Sequence, residues 1–307
     1  MQLGLAPKTH IPRAICFIIL AAIFNALIAS VAKFSFSSFT AFQMVFARNF
    51  VSLILFSLWL GFSKKEINLL SFLRPSSWKM QIIRAVFGFS SVVLFFYSLK
   101  TLDLSDATVL VNTMPVFLPF VAFLWKGIKI HHKTWWGILT AFAGILFIVQ
   151  PDVSVFNKGF IFALLAGITY AISTLALRFA HFTEPSSRTL FYYFLICSIF
   201  SAVGVGIEEN EIASALSARG LILLSTIGVL GLIFQLFFTL STKYAPARFI
   251  SPFYFSTVVF SVLIDRIIWN VSIDFWKIIG FVLVFIGVCL IVLLYPREIT
   301  ASKPGAQ

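Results

Sequence analysis

The residues of this chain that could do chemistry lie in apolar surroundings. Arg48 sits well inside an apolar run at 41–62. A guanidinium at that depth in lipid is costly unless something answers its charge. Two readings are open: a fixed cation that draws a carboxylate into a pathway, or a structural cation that caps carbonyls or snorkels. The other candidates are uncharged: Asn25, Tyr97, Asn112, Thr113, Tyr170, Gln235, Thr239 and Tyr254. Asn112 and Thr113 come just before Pro115, and Tyr254 just after Pro252. Gln235 and Thr239 share a helical face. Such amides, hydroxyls and phenols suit a polar, flat or zwitterionic solute, although each alone can also serve as glue between helices. Lys33 and Arg178 end equivalent apolar runs and read as snorkelling, and Arg84 reads as interfacial.

Other chemistries find no support. There is no Gly-rich phosphate loop leading into Lys-Ser/Thr, so no ATP motor is expected. Cys16, Cys197 and Cys289 fall in apolar runs, and His10, His131, His132 and His181 in tails or loops. Neither set has metal-ligand or disulfide spacing. The expectation is a protein that is not an enzyme and holds no cofactor and no metal. The net charge of +12 does not point to nucleic acid, because the basic residues occupy short loops between apolar runs.

The elements that must position these residues follow from composition. The 307 residues are 60% hydrophobic and 11% charged, against roughly 45–50% and about 25% in soluble domains. Lipid is the natural solvent. Apolar runs long enough to span occur at 13–32, 41–62, 82–99, 105–125, 134–150, 159–179, 189–207, 219–240, 247–267 and 276–295. Strict alternation is absent, which favours helices over a barrel. The fold class is all-α and integral to the membrane, with ten transmembrane helices. Pro115 and Pro119 kink the fourth span and Pro252 the ninth. Sixteen of the 23 Lys and Arg residues fall on one side of these spans, six on the other, and Arg48 within. That bias places both ends in the cytoplasm. The expected partners are a small solute and the bilayer, with a monomer or homodimer as the assembly.

The chain also repeats itself. The stretch from Leu20 to Phe34 aligns without a gap on Leu165 to Phe179. Further on, Phe95, Lys100, Gly137 and Gly144 fall on Phe238, Lys243, Gly280 and Gly287 at constant spacing. This duplication argues against reading the first apolar run as a cleaved signal. Two halves follow, 1–151 and 152–307, each of five helices. An odd number per half inverts the second half in the membrane. The basic loop Ser63-Lys64-Lys65-Glu66 and its acidic counterpart Glu208-Glu209-Asn210-Glu211 agree with that. Inverted repeats characterise secondary transporters, with the site between the halves.

Two five-helix halves with these motifs resemble the drug/metabolite transporter superfamily, in its EamA-type branch. The stretches that carry the resemblance are Arg48-Asn-Phe-Val-Ser-Leu-Ile-Leu, the tight link Phe95 to Ala107, Met114-Pro115, and the glycine-spaced Gly137/Gly144 and Gly280/Gly287 helices. One departure stands out. The family's Leu-Gly-Glu is absent from the end of the fourth span, Leu124-Trp125-Lys126-Gly127, and Asp265 is the nearest substitute in the ninth. The resemblance implies a central cavity lined by spans one, three, four, six, eight and nine. It implies a secondary transporter in a bacterial inner membrane that works by alternating access. S-adenosylmethionine exchanged against S-adenosylhomocysteine is the lead solute, within an amino-acid-like or nucleoside-like class. An exporter of amino acids or cationic amines is one alternative, and a non-transporting receptor or scaffold another. The sparse intramembrane carboxylates favour exchange, antiporter fashion, over proton coupling.

Overall fold

The structure, a computed structural model, describes residues 10–62, 72, 74–127, 132–149, 158–208, 217–245, 247–272 and 274–294. The described residues form twelve helices and no strand. They are α1 (Ile11–Ser35), α2 (Ala41–Phe62), α3 (Trp78–Ser98), α4 (Leu104–Val111), α5 (Met114–Lys126) and α6 (Thr134–Val149), followed by α7 (Lys158–Ala180), α8 (Ser186–Ile207), α9 (Ala218–Tyr244), α10 (Ala247–Tyr254), α11 (Ser256–Ile268) and α12 (Phe275–Leu294). Eight spans are long and apolar enough to cross a bilayer, with α4 and α5 counted as one. The stretch Thr134–Ile148 of α6 is apolar but shorter. The charged loops after α2 and α8 lie outside the described residues, apart from Glu208.

The expected edges agree with these helices to within a few residues, but two expected spans are broken. The fourth is interrupted at Asn112–Thr113 and the ninth at Phe255. Proline is the cause in the first case: Pro115 has no N–H to give to the preceding turn. Side chains satisfy carbonyls at both breaks. The Thr113 hydroxyl donates to the Leu110 carbonyl at 2.5 Å, and the Thr257 hydroxyl to the Tyr254 carbonyl at 2.7 Å. Irregular backbone at membrane depth is tolerated where protein or a cavity surrounds it.

The closest packing runs between the first six helices and the last six, and the pairings exchange. α3 packs on α7 as α1 packs on α9, and α2 packs on α9 as α8 packs on α3. α6 and α12 pack on each other. Small residues allow this intimacy. α1 buries Ala14, Ala21, Ala22, Ala26, Ala29 and Ala32, and alanine lets backbones approach without opposing side chains. At the α6–α12 seam the approach is closer still. A Cβ built on Gly144 would stand 2.6 Å from the Val284 nitrogen, and one on Gly287 2.7 Å from the Gly137 carbonyl oxygen.

Helix directions follow from contacts at the ends. His10, just before α1, donates its N–H to the Tyr244 carbonyl at the end of α9, 3.1 Å away. His181, just after α7, meets the Thr242 hydroxyl there at 3.0 Å. So α1 begins where α7 ends, and the two run oppositely. Outward, large apolar side chains such as Trp59, Phe62, Leu124, Leu146, Ile207, Ile267 and Leu293 are exposed. Only lipid suits such a surface.

Candidate functional site

A cavity opens at the centre, bordered by α1, α2, α3, α4, α7, α8, α9 and α10. Its empty space is about 680 Å³ with its mouth included, an upper bound on the room for a solute. Among the described residues neither α6 nor α12 contributes to its lining. Asn25, Arg48, Asn112, Tyr170, Gln235 and Tyr254 all face it, so the amides and phenols marked in the sequence come together from distant segments. Tyr97, Thr113 and Thr239 do not line it. Thr113 spends its hydroxyl on the Leu110 carbonyl. Tyr97 lies near the end of α3 and donates to Glu208 Oε1 at 2.9 Å. Thr239 is fully buried beside the cavity wall.

One wall is aromatic. The Tyr170 ring centre is 5.5 Å from that of Phe238, and Phe238 is 5.7 Å from Tyr254. Faces of this kind accept flat or cationic groups. Another part is cationic. Arg48 is 4% exposed and stands over the Phe234 ring at 5.6 Å. Arg84 is 1% exposed, and its guanidinium stands 4.7 Å over the Tyr193 ring. This corrects the interfacial reading of Arg84. Trp78 and Lys79 already mark the interface at the start of α3, and Arg84 lies more than a turn deeper. That depth was a usable signal. Tyr193 also escaped the sequence reading, although the spacing that aligns Leu20 with Leu165 aligns Arg48 with it. Gly88 makes room here: a Cβ at that position would meet Tyr193 at 2.7 Å and the Ser173 hydroxyl at 2.9 Å.

A second polar cluster ties the helices at one face. Asp265 is fully buried. It accepts the N–H groups of Leu104 and Ser105 at 3.3 and 2.7 Å, capping α4 from another helix. Lys33 lies 3.7 Å from both Asp265 and Asp103, and 4.9 Å over the Trp269 ring. It is therefore a pairing cation rather than a snorkelling one. Lys277 completes the set, 2.7 Å from Asp106 and 3.5 Å from Asp103. Thus α1, the α3–α4 link, α4, α11 and α12 are joined by charge. At the opposite face, outside the spans, burial pushes the His181 imidazole down to about 3, with Arg84, Lys243 and Arg178 adding to the shift.

Comparison with known proteins fits this arrangement. The model of the EamA-like transporter family matches residues 12–150 and again 157–293. The chain belongs to the EamA-like transporter family. It is a membrane transporter of the drug/metabolite type and not an enzyme. Among curated relatives, a pseudopaline exporter of Pseudomonas aeruginosa is 25% identical over 209 residues, which is 68% of this chain and 72% of that protein. An S-adenosylmethionine uptake transporter of Rickettsia prowazekii is 22% identical over 303 residues, 98% of this chain and 99% of its own. A solved crystal structure superposes with a TM-score of 0.64 at 15% identity, covering 94% of this chain and 98% of that one. At that identity the likeness speaks to the fold alone.

Proposed function

We propose that this EamA-family chain is a secondary carrier that moves a small organic metabolite across the bacterial cytoplasmic membrane by alternating access. It is built of two five-span halves, 1–151 and 152–307, inverted relative to each other, with both ends in the cytoplasm. The observation that carries this reading is the central cavity, whose polar and aromatic walls come from both halves. The exchanged helix pairings, the opposite directions of α1 and α7, and the doubled family match support the same view. Inverted repeats with a midplane site are the usual build of such carriers. The substrate sits against Asn25, Arg48, Asn112, Tyr170, Gln235 and Tyr254. S-adenosylmethionine, exchanged against its demethylated product, is the first solute to try. The Rickettsia relative and the aromatic wall of Tyr170, Phe238 and Tyr254 support that choice.

The test is counterflow in proteoliposomes loaded with unlabelled S-adenosylhomocysteine. Labelled S-adenosylmethionine should accumulate, and apolar replacement of Asn112, Tyr170 or Gln235 should abolish this while the protein still expresses and folds. Normal accumulation in all three variants would place the transport path elsewhere.

A further inference from the structure

We infer that the transported solute carries an oxyanion group, a carboxylate in an organic solute, seated between Arg48 and Arg84 beside Tyr193. The inference rests on the carrier reading above and narrows its substrate class.

The cavity holds charge that its own lining does not answer. No Asp or Glu is among the described residues that line the cavity. Two guanidiniums are, both almost wholly buried. Among the described residues the Nε and Nη1 atoms of Arg48 have no hydrogen-bond partner, and neither do the Nε and Nη2 atoms of Arg84. The Asn112 amide nitrogen is a further unpartnered donor in the same lining. Buried polar groups in native proteins are nearly always satisfied, so a cluster of orphans calls for a specific explanation. Here every one of the orphaned nitrogens is a donor. The missing counterpart is rich in acceptors and negatively charged. A guanidinium presents a planar fork that fits a carboxylate or phosphate with two parallel bonds.

Tyr193 connects the pair. Its ring lies beneath Arg84, and its side chain also interacts with Arg48. Aromatic stacking fixes the guanidiniums without supplying a formal charge, so their donors stay available. This arrangement differs from the other face, where Lys33 and Lys277 are matched by Asp103, Asp106 and Asp265. Lys33 and Lys277 have carboxylate partners, whereas Arg48 and Arg84 at the cavity have none among the described residues.

The experiment compares three probes by thermal shift on purified protein. S-adenosylhomocysteine carries a carboxylate, methylthioadenosine keeps the flat base without it, and inorganic phosphate is a bare oxyanion. The expected order is a Kd for S-adenosylhomocysteine on the order of 10- to 100-fold tighter than for methylthioadenosine, since charge-assisted pairs are the strong ones. Arg84→Gln should remove most of that difference and Arg84→Lys restore part of it. The methylthioadenosine value should stay within about twofold in both. The unliganded melting temperature of Arg84→Gln should hold or rise, because an unpaired buried cation has been removed. Stabilisation by phosphate alone would assign the pocket to an inorganic anion. Equal binding of the first two probes, or a lower melting temperature in Arg84→Gln with the discrimination intact, would overturn the inference and leave Arg84 as a structural residue. Counterflow separates this from the carrier reading: anion binding without any exchange by wild-type protein sinks the carrier, whereas exchange restricted to carboxylate-free solutes sinks only the oxyanion.

Discussion

Replacing one glycine of the α6–α12 seam by alanine should destabilise the protein, although the same change elsewhere stabilises it. A Cβ on Gly144 would lie 2.6 Å from the Val284 nitrogen and 2.7 Å from the Gly280 carbonyl oxygen. These are backbone atoms, so no side chain can swing away. The helices must part by roughly 0.8 Å to reach an ordinary contact, at a cost of about 1–3 kcal/mol for overpacking. Alanine's better helix propensity returns about 0.5–1 kcal/mol. The net loss is about 0–2.5 kcal/mol, or up to roughly 5 °C in melting temperature. Gly61 supplies the control, because a Cβ there meets none of the described residues within 4 Å. Gly61→Ala should be neutral or slightly stabilising. Thermal unfolding of detergent-purified variants, followed by tryptophan fluorescence, reads both. The double variant Gly144→Ala/Gly280→Ala should cost less than its parts together, since the first change already separates the helices. If Gly144→Ala melts no lower than Gly61→Ala, the backbone-to-backbone seam is refuted.

Other expectations follow from the charged clusters and the cavity edge. Asp265→Ala should lower stability by about 3–5 kcal/mol, because it orphans two N–H groups and half-releases Lys33, and Asp265→Asn by less. A cysteine at Thr108 should then label faster with an impermeant maleimide, and an unchanged rate would mean the cluster does not seal that face. His181 stays neutral in the fold with its imidazole held down to about 3, against about 6.5 in the unfolded chain. The unfolded state takes the proton first, so this group's contribution is constant above about pH 6.5 and is lost progressively toward pH 3. His181→Asn should flatten that part of the melting-temperature profile, and parallel profiles for the two proteins would disprove the linkage. Tyr97→Phe loses one hydrogen bond to Glu208, worth about 0.5–1.5 kcal/mol. Solute exchange should nevertheless keep its KM, because Tyr97 is off the cavity, and a large KM change would move the site toward Glu208.

Much of the fold could be read in the chain because lipid sets span length, and the edges at 41–62 and 134–150 agree closely with α2 and α6. Proline marked both interrupted spans, though the exact break at Phe255 depends on packing. The cavity was legible to the extent that burying polarity in lipid is costly, which singled out Arg48, Asn112 and Gln235. Which way a polar residue faces was not legible. A span that is apolar all round has no sided pattern, so Tyr97 and Tyr170 looked alike, yet only Tyr170 faces the cavity. Pairing was hidden for another reason. Lys33 finds Asp265 across more than two hundred residues of sequence, and no local spacing encodes such a contact. Arg84 was misplaced because its nearness to the start of its span outweighed its depth below Trp78.

The exchanged pairing has a consequence for how the chain is made. α3 finds its main partner in α7 and α1 in α9, while α6 waits for α12, the last helix described. During synthesis the first helices therefore enter the bilayer before their packing partners exist. Each must persist there with its main packing partner still missing. Arg48 and Arg84 must do so as well, held in lipid until Tyr193 and Phe234 arrive. A ribosome stalled after α6 would leave a set of helices short of their main partners rather than a finished module.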